Sequence, residues 1–148
     1  MTRNLQKMYS VVGILMPLEF LAQFYTIASS GFTTVANEIA NPGNPRGTSV
    51  AVIEPFAAAH GVIGVFIVPL TILALIGLSI GARHARRTTV LAALLFLLWA
   101  VQFALAYVGF LGMAALAGLH GVNALAMVGL GTFLVKGNWA FGRQAPVP

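Results

Sequence analysis

Almost no stretch of this chain is suited to water. Four apolar runs, about Met8–Ser30, Pro55–Ile80, Thr89–Gly112 and Ala114–Lys136, occupy most of its 148 residues. Each supplies the roughly 20 apolar residues that a hydrocarbon core of about 30 Å demands. Only 7% of the residues are charged, 59% are hydrophobic and the mean hydropathy is +0.91, values that belong to a bilayer protein. In lipid a backbone must satisfy its own N–H and C=O groups, and spans of this length do so as helices. The expected fold is therefore all-α: a polytopic membrane four-helix bundle, one domain over residues 1–148, with no soluble module.

The basic residues set the orientation. Arg3 and Lys7 precede the first span, Arg83, Arg86 and Arg87 separate the second from the third, and Lys136 and Arg143 follow the fourth. Only Arg46 lies on the other side. By the positive-inside rule both termini are cytoplasmic and the 31–54 loop faces outward, in a multi-pass protein of the bacterial cytoplasmic (inner) membrane. The pI of about 10.5 does not imply nucleic acid, because these cations sit scattered at helix ends without interleaved aromatics. The first span follows Arg3 and Lys7 as a signal peptide would, yet it exceeds an ordinary h-region and is interrupted by Pro17 and Glu19, so it is expected to be retained as a helix. The absence of cysteine removes disulfides, iron–sulfur clusters, thiolate metal sites and covalent c-type haem.

Short motifs recur in an order that suggests duplication. The first span carries Gln23-Phe24 and the third carries Gln102-Phe103. Gly31-Phe32 and Gly109-Phe110 follow them. The second span then opens with Ala58-Ala59-His60-Gly61-Val62, and the fourth with Gly118-Leu119-His120-Gly121-Val122. Two tandem helical hairpins entering the membrane in the same direction would be related by a pseudo-twofold axis along the bilayer normal. That axis would set His60 and His120 at one depth, roughly 8–9 Å below the outer boundary at about 1.5 Å per residue.

The chain has 3 histidines, and a buried imidazole needs a partner because an unsatisfied polar group in hydrocarbon costs several kcal/mol. Two at matching stations point to a shared one, a single haem b with an imidazole on each face. Bis-imidazole ligation asks for ring nitrogens about 4 Å apart and a flat slot between helices. Ala57, Gly61 and Gly64 flank His60, and Ala117, Gly121 and Ala124 flank His120; large side chains such as Phe56, Phe103, Leu116 and Met127 could close over a macrocycle edge. Small residues also pack membrane helices together, and two histidines can serve as interhelical glue. Zinc or copper lacks an obvious further ligand. His84, set among arginines, is expected to be solvated.

Glu19 is the other expensive residue, a carboxylate near the middle of a span. Glu19, Gln23, Thr26 and Ser30 follow i, i+4, i+7, i+11 spacing and form one polar stripe that must face the bundle. Leu98 stands where the repeat would place a second carboxylate. Glu19 could accept a proton coupled to redox chemistry, line a quinone pocket, or hydrogen-bond a neighbour as a neutral group. Gln102 shares the station of Gln23. Asn123 could meet an imidazole or porphyrin edge or bridge helices, and Arg46 could pair with haem propionates or be a solvated loop charge.

Phe-x-x-x-His-Gly at the second span and Leu-His-Gly-x-Asn-Ala at the fourth resemble a group of small bacterial four-helix membrane proteins with paired histidines. The architecture is similar to b-type four-helix membrane cytochromes. The resemblance implies haem b held by His60 and His120, without the second, inner histidine pair of transmembrane dihaem cytochromes. The function expected is one-electron transfer in the outer half of the bilayer, from quinol or to a redox protein, with no open iron position for substrate. The alternatives are a cofactor-free accessory subunit of a larger membrane complex or a homo-oligomer, and a small transporter with Glu19 at the repeat axis.

Overall fold

The computed structural model describes residues 2–43 and 50–141, excluding the side chains of 50–54, Phe110, Ala114 and Ala117. Among the described residues there is helix and turn but no strand. Helix α1 covers Thr2–Ala40. A second rod is built from α2 (Val50–Val62), a π-helical turn (Ile63–Ile67) and α3 (Val68–Gly81). Helices α4 (Arg86–Phe110) and α5 (Ala114–Gly137) complete the order. Four helices are long and apolar enough to cross a membrane.

The first helix corrects the expected loop at 31–54. Residues 31–40 remain helical, and α2 starts at Val50. No proline or glycine interrupts Phe32–Ala40. The Thr33 and Thr34 hydroxyls donate back to the Ser29 and Ser30 carbonyls at 2.7 and 2.9 Å, so their polarity is absorbed inside the helix. Termination comes at Asn41-Pro42-Gly43. There Asn41 N–H still reaches Asn37 O at 2.9 Å, Pro42 has no N–H to give, and Gly43 turns at φ +92°. The π-turn also has a local cause. Pro69 cannot donate to the helical ladder, and one step before it Val68 N–H reaches back five residues to Ile63 O.

The chain divides into two compact units, one of Leu18–Val68 and one of the residues up to Pro17 with those from Pro69 on. Within the larger unit Tyr9 and Met16 of α1, Ile72 and Leu75 of α3, Leu95 of α4, and Met127 and Leu134 of α5 are buried. A Cβ on Gly13 would come within 2.8 Å of Val135 Cγ2, so α1 and α5 approach closely where one of them has no side chain. Leu111-Gly112-Met113 joins α4 to α5, with Gly112 at φ +85°. Between α3 and α4 the turn is closed by His84 N–H to Ser79 O at 2.9 Å. It uses a left-handed residue that is not glycine, Arg83 at φ 53°, a conformation costing a side-chain-bearing residue about 1–2 kcal/mol. In the smaller unit α1 and α2 pack side by side, with Phe20, Thr26, Ser30 and Val68 buried.

Across both units the surface is more apolar than the interior pattern of a water-soluble bundle would allow. Leu21 is 64% exposed and Phe66 61%, with many other large apolar side chains alongside them, while Ser10, Thr26, Ser30, Thr71, Ser79 and Thr88 are buried.

Candidate functional site

The two histidines repeat one contact. His60 Nδ1 lies 3.3 Å from the backbone carbonyl of Gln23 in the smaller unit. His120 Nδ1 lies 3.0 Å from the backbone carbonyl of Gln102 in the larger one. A carbonyl oxygen can only accept, so in both cases Nδ1 is the donor. A bond of this kind from the other ring nitrogen is how imidazoles that bind metals are held in one orientation. Both rings are half-buried.

Around that contact the halves differ. In the smaller unit the Gln23 carboxamide donates from Nε2 to His60 O at 3.0 Å, so Gln23 and His60 are tied in both directions. The π-turn and Gly64 make room for this: a Cβ on Gly64 would lie 3.0 Å from Gln23 Nε2. Gly64 therefore serves the glutamine. In the larger unit Gln102 Oε1 accepts from Asn123 Nδ2 at 2.7 Å, and the same amide donates to Leu98 O at 2.9 Å. Asn123 thus bridges α4 and α5. Gly61 and Gly121, each following its histidine, are exposed, and a Cβ on either would have nothing within 4 Å.

The polar stripe of α1 turns inward as its spacing implied: Thr26 and Ser30 are buried, and Glu19 and Gln23 half-buried. Thr26 Oγ1 donates to Ala22 O and Gln23 O, at 2.9 and 3.0 Å. Among the side chains expected to close over a macrocycle, Met127 is buried, Phe56 packs edge-on against Tyr25 at 6.3 Å, and Phe103 and Leu116 are exposed. Arg46 lies outside the described residues, as does the side chain of Ala117. No group of three or more His, Cys, Asp or Glu gathers among the described residues.

One cluster escapes a reading of the sequence. Toward the end of the larger unit that carries the α3–α4 turn, Ser10 accepts from Ala140 N–H at 2.9 Å and contacts Asn138 O at 3.3 Å. Thr88 donates to Asn138 Oδ1 at 3.1 Å, and Ser79 and Thr89 share a hydroxyl hydrogen bond of 2.9 Å. His84, expected in solvent, instead packs its ring 4.8 Å from that of the fully buried Tyr9. The available signal was the placement of small polar residues just inside the ends of several apolar runs.

The chain matches no protein-family model, no curated protein and no solved structure. What the site can do therefore rests on its own donors. Two imidazoles, each oriented through Nδ1 by a backbone carbonyl, are side chains of the type that could hold a haem.

Proposed function

We propose that this is a four-helix protein of the bacterial cytoplasmic membrane, with both termini on the cytoplasmic side, in which His60 and His120 bind one haem b between two tandem hairpins. The observation carrying the proposal is the repeated Nδ1–carbonyl bond, from His60 to Gln23 and from His120 to Gln102. The membrane setting is supported by the apolar outer surface and the buried hydroxyls, a distribution suited to lipid rather than water.

A haem b held by His60 and His120 would supply a one-electron couple. The chain's own residues do the rest. The Gln23 and Gln102 carbonyls fix the two imidazoles, Gly61 and Gly121 add no side chain next to them along each helix, and the apolar helices exclude water. Glu19, four residues before Gln23 on the same stripe, is placed to hold or release a proton as the local charge changes. Quinol is the donor that such a lipid-facing site suits. The test is an absorption spectrum of detergent-solubilised protein, oxidised and dithionite-reduced. A sharp Soret band that shifts on reduction is expected, and a colourless protein that takes up no added haem would reject the proposal.

The same bonds also favour a second reading. Each is an interhelical hydrogen bond in its own right, so the histidines could act as structural glue in a cofactor-free subunit of a larger membrane assembly. That reading expects no Soret band and only modest destabilisation when either histidine is removed.

A further inference from the structure

Arg3, Lys7, Arg83, Arg86, Arg87 and Lys136 are all exposed, and all lie in the larger unit. The three acidic residues of the chain are Glu19, Glu38 and Glu54, so neither the residues up to Pro17 nor those from Pro69 on contain a carboxylate side chain to offset the six cations. The cations share one end of the unit. Leu5 on α1 packs 3.4 Å from a Cβ built on Gly81 at the end of α3. Lys7 Nζ sits 5.9 Å from the Phe141 ring centroid, and the Arg87 guanidinium 5.6 Å from that of Phe133. Those ring contacts hold two of the cations beside the helices rather than letting them sweep freely through solvent.

Two features show that this charge is maintained against local preference. Arg83 occupies the left-handed position closing α3, where glycine would be unstrained. Arg86 and Arg87 begin α4 with no acidic residue in its first turn and no side-chain cap, although the positive end of a helix dipole disfavours cations. An anion outside the chain answers both. In a helix bundle with an apolar outer surface, the anions at the level of the span ends are lipid phosphates.

We infer that this end of the bundle binds the phosphodiester headgroups of anionic membrane lipids, with Arg83, Arg86 and Arg87 as the principal contacts and Arg3, Lys7 and Lys136 completing the rim. The inference rests on the membrane setting proposed above and is independent of haem. Each cation near an anionic surface strengthens attraction by roughly fivefold, so removing three should cost on the order of a hundredfold in apparent affinity.

The full chain, reconstituted into vesicles of phosphatidylcholine alone or with added phosphatidylglycerol, tests this. Phosphatidylglycerol should raise the melting temperature above its value in phosphatidylcholine, and the R83Q/R86Q/R87Q variant should lose most of that rise. Arg83→Gly separates binding from folding, since it should melt higher than the parent in phosphatidylcholine while gaining less from phosphatidylglycerol. Equal stabilisation by both lipids, or an unchanged gain in the triple variant, would overturn the lipid site. So would an equal gain from inorganic phosphate added to phosphatidylcholine vesicles, which would assign the cations to a soluble anion. A chain that enters neither vesicle would overturn the membrane setting and the lipid site with it. A Soret band recorded on the same samples reports the haem proposal separately.

Discussion

His60 and His120 meet the same acceptor in different company. In the smaller unit the glutamine closes a two-way tie onto its histidine, with a π-turn and a glycine clearing the way. In the larger unit the glutamine side chain turns aside to an asparagine, and the histidine keeps only the carbonyl. The contact common to both, which orients the ring, is the one that the proposed ligation would need. The surroundings are free to differ because they fasten helices, and helices can be fastened in many ways. Glu19 extends the asymmetry, since Leu98 occupies the corresponding station on α4.

The largest effect should come from the shared element. His60→Ala and His120→Ala should each remove a strong-field ligand, giving a high-spin spectrum or loss of haem, and the two should resemble each other. One variant that kept the parent spectrum would break the equivalence. Next, Gly64→Val should force Gln23 off the His60 carbonyl and lower stability by about 1–3 kcal/mol even without cofactor. Gly121→Val meets open space and should leave the melting temperature of haem-free protein within about 0.5 kcal/mol of the parent, while lowering the haem-to-protein ratio. Equal thermal losses in both would contradict the division of roles between these glycines.

A smaller effect is expected of Asn123→Leu. It removes two interhelical bonds at about 0.6 kcal/mol each, and hydrogen exchange should quicken around Leu98 and Gln102 but not around Gln23. Smallest in stability is Glu19→Gln, whose signature is electrochemical. Proton uptake on reduction makes the midpoint potential fall as pH rises, and the amide should flatten that slope. A slope identical to the parent's would leave Glu19 a structural residue.

The four long apolar helices were legible because length and apolar composition mark such segments, and the ends near Gly81 and Gly112 because glycine permits turns there. The extension of α1 to Ala40 was hidden. Thr33, Thr34 and Asn37 look like loop residues until their side chains bond within the helix. At the site, the paired order of Gln and His could be read, but not which atom of Gln is used, because a backbone carbonyl carries no mark in a sequence. Asn123 was open to an imidazole or porphyrin edge or to a bridge, and its amide does join α5 to α4 through Leu98 and Gln102. The Ser10–Thr88–Asn138 layer was missed because single hydroxyls are common in apolar helices and only their convergence gives them meaning.

The length of α1 bears on who can reach His60. Along its axis the helix runs about 25 Å from Gln23 to Ala40 at 1.5 Å per residue, while α2 rises about 15 Å from His60 back to Val50. On the membrane placement proposed above, with 8–30 in hydrocarbon, 31–40 would stand as a post beyond the lipid, with Phe32 and Ile39 78% and 77% exposed. In that placement a globular protein arriving from that side would have to accommodate the post before it came near the imidazole. A small lipid-soluble carrier diffusing in the plane of the membrane would pass beneath it, so the length of one helix would sort visitors by size.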